Sequence, residues 1–176
     1  NALDAEIVGL SLSVKEGEAF YIPMPAQRKE ATTLLNRFRE IFENEETEKV
    51  GQNIKYDITV LANYGIEVKG RLFDTMIAHY VLQPELYHGM DYLAEIYLNY
   101  DTIKIEELIG EKGKSQKNMR DIEPAKVCDY ACEDADVTLK LKTILEKELH
   151  KEGLFNLFHD VEMPLVNVLA LMERNG

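Results

Sequence analysis

Short strand-like runs occupy the first part of the chain, and helical patterns fill most of the rest. Residues 7–14 and 19–22 are two apolar runs joined by Lys15-Glu-Gly17-Glu18, which predicts an antiparallel hairpin. Two further short apolar runs, 49–52 and 68–73, each lead into a helical pattern. Strands first, helices later and strand–helix alternation between them are typical of an α/β sandwich, in which a mixed sheet is flanked by helices.

The helical patterns are longest near the end of the chain. Leu34, Leu35, Phe38, Ile41 and Phe42 repeat with a helical period, which predicts a helix over 28–42. We predict further helices over 57–65 (capped by Asp57), 74–82, 92–98 and 103–109, a long helix from Pro124 to about residue 149, and a last one after Gly153.

Bulk composition describes an ordinary globular chain. Its 176 residues are 45% hydrophobic and 30% charged, with a net charge of −12. No apolar run approaches the roughly 20 residues of a membrane span, so we expect no membrane partner and a cytoplasmic location. Cys128 and Cys132 lack histidines at ligand spacing, and small buried residues in a reducing compartment are the preferred interpretation. An acidic surface repels nucleic acid, but bound cations locally cancel carboxylate charge.

Three polar segments are candidates for chemistry. Tyr130-Ala-Cys-Glu-Asp134 places a phenol and a carboxylate one turn apart on one face of the long helix. Val50-Gly-Gln-Asn53-Ile-Lys-Tyr56-Asp57 ends in a second carboxylate, and Asp74 begins another helix. Carboxylates from separate elements can hold two divalent ions, which activate water and neutralise a phosphodiester.

Each of these residues also has a purely structural interpretation. Asp57 could cap a helix, Asp134 could be a solvated helix residue, and Tyr130 could be a core phenol. For Asp74, capping is preferred over support of a metal. The functional interpretation rests on the three segments taken together.

Together these segments resemble the proofreading 3′–5′ exonuclease domains of Klenow-type bacterial DNA polymerases, the DEDDy class. The resemblance runs from Ile7-Val-Gly-Leu-Ser-Leu12 to Glu173-Arg-Asn-Gly176. It implies a ribonuclease H-like fold, Asp57 and Asp134 as metal ligands for two Mg²⁺ or Mn²⁺ ions, and Tyr130 orienting the attacking water. It also implies an exonuclease domain over 1–153 and the start of a polymerase domain over 154–176.

One departure from this pattern concerns the first motif of the class, Asp-x-Glu on the central strand. Asp4-Ala-Glu6 has the spacing but lacks a preceding apolar run, so the motif is expected before Asn1. We therefore expect this fragment to be inactive or nearly so, to bind metal weakly and to have an incomplete sheet. The expected outcomes are a split sheet closed by a shift of the Ile7 strand, a segment exchanged with a second copy, or a marginally stable monomer, and a homo-oligomer is the preferred outcome.

Several residues are candidates for contacts with the substrate strand. Asn53 and Tyr56 could approach its sugar or terminal base, and packing beside the site is an equally good interpretation. The segment 110–120 is locally basic, and either a solvated loop or a DNA contact fits it. A similar loop in the resembling domains favours contact through Lys112, Lys114, Gln116 and Lys117.

The resemblance predicts hydrolysis of the 3′-terminal nucleotide of single-stranded DNA by a domain joined to a polymerase domain. A ribonuclease D-like exoribonuclease and a catalytically dead docking domain are the alternatives. Glu162-Met-Pro-Leu-Val166 resembles a polymerase junction and argues against the first alternative. Asp57, Tyr130 and Asp134 argue against the second.

Overall fold

The computed structural model describes residues 2–111, 113 and 116–176. Lys112 and Lys114, two of the predicted DNA contacts, lie outside the described residues. The four strands are β1 (Gly9–Lys15), β2 (Glu18–Pro23), β3 (Lys49–Gly51) and β4 (Leu72–Asp74). The helices are α1 (Arg28–Leu35), α2 (Arg39–Glu43), α3 (Ile54–Asn63), α4 (Thr75–Leu82), α5 (Met90–Leu93), α6 (Ile105–Ile109), α7 (Pro124–Lys151), α8 (Phe155–Leu157) and α9 (Met163–Asn175).

The predicted hairpin is present. β1 and β2 pair antiparallel, with Ser11 opposite Tyr21, and Gly17 takes the left-handed conformation in the turn, φ 80°. The Asp136 carboxylate of α7 accepts a 2.6 Å hydrogen bond from the Gly17 amide. The hairpin is therefore tied to the long helix that carries Tyr130 and Asp134.

The sheet is split into two halves. β1 pairs only with β2, and β3 pairs only with β4, in parallel, so no ladder joins β1 to β3 among the described residues. α7 packs on β1, β2 and β3 and so spans both halves. The split was expected for a missing central strand, but no shift of the Ile7 strand closes it among the described residues, because β1 and β3 do not pair.

Several boundaries differ from the sequence predictions. The helix predicted over 28–42 is interrupted by a 3₁₀ turn, Asn36–Phe38. The strand predicted over 68–73 is only Leu72–Asp74. The prediction that Asp57 caps its helix is wrong, because α3 begins at Ile54 and Asp57 lies within its first turn. Residues 94–98, predicted as ordinary helix, form a π-helical turn after α5.

Two apolar clusters form the core. One joins α1, α2 and the second half of α3, through Leu35, Phe42 and Leu61. The other joins the start of α3, β4, α7 and the C-terminal helices, and Phe73 packs against Phe158 with ring centroids 4.8 Å apart. Residues beyond 153 are thus part of the same core as the candidate site.

None of the described helices is by itself long and apolar enough to cross a membrane. One pair, Pro124–Lys151 with Phe155–Asn175, satisfies the length and composition only when joined across a 119° bend.

Candidate metal and nucleic-acid site

Asp57 is an exposed residue in the first turn of α3. Ile54, Ile58 and Leu61 of this helix are buried, whereas Tyr56 and Asp57 are exposed. The surrounding protein nevertheless weakens hydration of the Asp57 carboxylate, and the carboxylate of Asp74 repels it. Together these effects raise the pKa of Asp57 to about 7.

Tyr130 and Asp134 lie together on α7, as their spacing predicts. Burial raises the pKa of Asp134 to about 6; the Tyr130 hydroxyl opposes this rise, and nearby Glu133 adds to it. Burial and the Asp134 carboxylate raise the pKa of the Tyr130 phenol well above its usual range. Tyr130 therefore remains a neutral hydroxyl at every physiological pH.

Asp134 has an unsatisfied oxygen that fits a cation. Its Oδ1 atom is buried and has no hydrogen-bond partner among the described residues. A buried polar atom without a partner is costly, and a divalent cation is a natural ligand for a carboxylate oxygen. Asp134 and Asp57 are also each held in environments that disfavour an uncompensated negative charge.

The described carboxylates do not form a complete metal-binding group. The described residues contain no group of three or more His, Cys, Asp or Glu side chains placed to hold one ion. The neighbouring charge that raises the pKa of Asp57 is Asp74, and the neighbouring charge that raises the pKa of Asp134 is Glu133. A short distance between the carboxylates of Asp57 and Asp134 stays a prediction.

Asn53 and Tyr56 are exposed next to Asp57. Asn53 has a left-handed backbone, φ 58°, and its side chain makes no capping bond to α3. Tyr56 is 44% exposed, so its ring is open to stacking by a base. A cavity of about 380 Å³ opens beside them and is lined by Ala2, Leu3, Asn53, Lys55, Tyr56 and Glu173.

Asp74 caps a helix, as the sequence favours. Its carboxylate accepts hydrogen bonds from the amides of Met76 and Ile77 at the start of α4. It also accepts bonds from the amides of Asn53 and Ile54, which the sequence does not reveal.

Residues 116–118 of the basic segment lie in an exposed loop after α6, and a 3₁₀ turn follows at Met119–Asp121. Gln116 and Lys117 are exposed, and the Lys117 amide donates to the carbonyl of Ile109. Glu106 of α6 is near enough to Tyr130 to help raise the pKa of the phenol. The loop therefore follows a helix that lies beside the candidate site.

Glu133 is a further residue of the site that the sequence analysis did not single out. Its carboxylate accepts 2.7 Å hydrogen bonds from the Tyr100 hydroxyl and the Ile103 amide. These bonds fasten the segment before α6 to α7, next to Asp134. Its place inside Tyr130-Ala-Cys-Glu-Asp134 was the available signal, since it directly precedes the candidate ligand.

Comparison with known proteins identifies the family of this chain. The sequence model of a family described as 3′–5′ exonuclease matches residues 1–150. DNA polymerase I of Pseudomonas aeruginosa is 41% identical over all of this chain, and that of Borreliella burgdorferi is 37% identical over 98% of it. The chain spans about a fifth of the length of these curated relatives, 20% and 19%.

Solved structures share the fold. Pol1 from M. smegmatis, in a complex with DNA primer-template and dNTP, superposes with a TM-score of 0.75 at 21% identity, covering 100% of this chain and 27% of that one. Brucella melitensis NrnC superposes with a TM-score of 0.74 at 21% identity, covering 98% of this chain and 80% of that one. A second structure of NrnC, with a TM-score of 0.67 at 20% identity, contains bound Mg²⁺ and covers 93% of this chain and 76% of that one. The ribonuclease H-like α/β fold is therefore confirmed, and the chain belongs to the 3′–5′ exonuclease family of DNA polymerase I.

Proposed function

We propose that this chain is the proofreading part of a DNA polymerase and removes the 3′-terminal nucleotide of single-stranded DNA by metal-dependent hydrolysis. The observation that carries the proposal is the unsatisfied Oδ1 of Asp134, one helical turn from Tyr130, in a chain of this family. An unpaired or mismatched 3′ end would enter most readily, because unpaired bases cost least to separate from the duplex.

Asp57 and Asp134 would hold the Mg²⁺ or Mn²⁺ ions. Such ions, when bound, activate a water molecule and neutralise charge on the scissile phosphate. Tyr130 would orient that water by hydrogen bonding, as a neutral hydroxyl whose pKa is raised by burial and by the Asp134 carboxylate. Deprotonation of Asp57 near pH 7 would have to precede metal binding there.

The substrate strand would lie across the exposed side of α3. Tyr56 offers a ring for stacking, Asn53 offers an amide, and the cavity beside them can receive part of a terminal nucleotide. Lys112, Lys114, Gln116 and Lys117 would contact the phosphate backbone. This contact is supported by the place of the exposed loop after α6, whose Glu106 lies near Tyr130.

The 176 residues by themselves should hydrolyse DNA poorly. They supply two of the four carboxylates that the class uses, and the described residues contain no three-ligand group for a metal. An Asp-x-Glu strand placed between β1 and β3 would supply the other two. The two unpaired strand edges support this placement.

The partner within the longer polypeptide would be the polymerase domain. The last helices present a set of exposed apolar side chains that such a domain could cover: Val161, Leu165, Val168, Leu171 and Met172. We propose a cytoplasmic location on the evidence of two free cysteines and of bacterial relatives.

The test is digestion of a 5′-labelled single strand in Mg²⁺ or Mn²⁺ by the polypeptide that includes an Asp-x-Glu strand. Asp57→Asn, Asp134→Asn and Tyr130→Phe should each slow release of the terminal nucleotide by at least about a hundredfold. Asp136→Asn is the matched control, since Asp136 lies on α7 but is bonded to Gly17 and Lys140.

Three results would contradict the proposal. Full activity in the Asp134→Asn variant would show that Asp134 is not a metal ligand. Activity of the 176-residue chain equal to that of the longer polypeptide would remove the need for the Asp-x-Glu strand. No activity with either metal would favour a docking domain.

A further inference from the structure

α3 lacks the hydrogen bond that the side chain of an N-cap residue usually accepts. An N-cap residue normally has an extended backbone, and its side chain accepts a hydrogen bond from one of the next amides. Asn53 is the N-cap of α3, but its φ and ψ of 58° and 47° are left-handed and its side chain makes no cap bond. Asparagine is among the few residues that tolerate this conformation.

Asp74 supplies the missing cap from another strand. Its Oδ1 accepts from the Asn53 amide at 3.1 Å, and its Oδ2 accepts from the Ile54 amide at 2.8 Å. The same carboxylate caps α4 through the amides of Met76, at 2.9 Å, and Ile77, at 3.3 Å. Asp74 is fully buried, so four amides replace the water that would otherwise solvate it.

The neighbouring residues hold this turn from the other side. Gly51 lies opposite Asp74 in the parallel ladder of β3 and β4. The Thr75 hydroxyl donates to the Gly51 carbonyl at 3.2 Å and also contacts the side-chain oxygen of Gln52. The turn from Gly51 to Ile54 is therefore fixed by two consecutive residues at the end of β4.

We propose that Asp74 is a positioning residue for the nucleic-acid site. By capping α3 from outside, it leaves the Asn53 side chain unused by the fold and available to a substrate strand. It also fixes the first turn of α3, from which Tyr56 and Asp57 project. The proposal rests on the function proposed above, and it predicts that Asp74 acts on binding through Asn53.

Amide hydrogen exchange tests the capping step without any substrate. Asp74→Asn keeps one acceptor oxygen but replaces the other with an NH₂ group, which cannot accept from Ile54. We expect the amide of Ile54 to exchange at least tenfold faster, relative to amides elsewhere in the core, while the Asn53 amide keeps its bond to the remaining oxygen. Leu149→Ala, a buried change at the far end of α7, is the control for general loss of stability and should not single out the Ile54 amide. Equal acceleration in both variants would overturn the proposal.

Binding of a fluorescent single-stranded oligonucleotide to the longer polypeptide, which includes an Asp-x-Glu strand, tests the second step. Asn53→Gly suits the left-handed backbone, so the melting temperature should hold while the affinity falls about tenfold. Asp74→Asn should lower the affinity similarly, and the double variant should bind no more weakly than the weaker single variant.

The outcomes separate the two proposals. Additive losses in the double variant, or unchanged affinity in either single variant, would overturn the role of Asp74 in positioning Asn53. If Asp74→Asn does not fold, Asn53→Gly still tests the proposal. A lower melting temperature in Asn53→Gly would show that the fold uses the Asn53 side chain, which contradicts the proposal. If the unchanged longer polypeptide binds no oligonucleotide, the proposed function is contradicted, while amide exchange still decides the capping.

Discussion

Asp134 and Asp136 lie two positions apart on α7, yet their pKa values are shifted in opposite directions. Burial and the neighbouring Glu133 raise the pKa of Asp134 to about 6, although the hydroxyl of Tyr130 opposes the rise. Asp136 is bonded to Lys140 and to the Gly17 amide, and these contacts lower its pKa although burial opposes them. The first carboxylate is therefore held at a cost to folding, as is typical of functional sites, and the second stabilises the fold.

This contrast predicts opposite effects of neutral substitutions in metal-free buffer at pH 8. Asp134→Asn should raise the free energy of unfolding by on the order of 1 kcal/mol, because it removes a poorly solvated charge. Asp136→Asn should lower it by about 1 kcal/mol, because a charge-assisted bond is lost. Thermal melts followed by circular dichroism measure both, and a destabilised Asp134→Asn variant would contradict the assignment.

The raised pKa values also predict how stability depends on pH. Asp57 and Asp134 bind protons more tightly when folded, so their contribution to stability is present at low pH and is lost as the pH rises through about 6 to 7. Protons and metal compete for the same oxygens. The rise in melting temperature caused by Mg²⁺ should therefore grow between pH 6 and pH 8. A Mg²⁺ effect independent of pH would show that these carboxylates do not bind the ion.

Individual residues differ in how far the sequence predicted them. Tyr130 and Asp134 were predictable because helical spacing alone brings them together. The cap of α3 was not, because Asp74 reaches the Asn53 amide across 21 residues of sequence. Asp57 was wrongly predicted as that cap, since an acidic residue near a helix start is a common signal and a left-handed N-cap is rare.

At the scale of elements, the two half-sheets differ in what the sequence revealed. The β1–β2 hairpin follows from two alternating runs around Gly17. β3 and β4 have only three residues each, and their parallel pairing depends on tertiary contacts with α3 and α7. The break between α1 and α2 contains no proline or glycine, so nothing local in the sequence indicated it.

The open edge of β1 predicts an alternating pattern of hydrogen exchange. In an antiparallel pair, every second residue directs its amide toward the partner strand. Amides of β1 that face β2 should exchange slowly, and those between them should exchange quickly. Two-dimensional NMR in D₂O measures this, with the buried turns of α7 around Leu141 and Leu145 as the slow reference. Uniformly slow exchange along β1 would show that another strand covers the edge.

At the scale of the whole molecule, the two open edges predict association. Exposed strand edges pair readily with other chains, so we expect a two-copy assembly at micromolar concentration. Sedimentation velocity measures it, and a thermally robust monomer would contradict it.

Supplying an apolar strand that ends in Asp-x-Glu, fused before Asn1, should raise the melting temperature and strengthen Mg²⁺ binding together. The same fusion with Asn-x-Gln should keep the first effect and lose the second.

The shared core of α3, β4 and the C-terminal helices limits where this chain can be cut for protein engineering. The match to the exonuclease family ends at residue 150, yet Phe158, Met163 and Val166 pack in the same cluster as Ile54 and Phe73. A chimaera joined at residue 150 would keep every candidate site residue but would replace the C-terminal core residues that share a cluster with α3. Transplants of proofreading between polymerases should therefore be joined beyond α9, so that the helix bearing Asp57 keeps its own support.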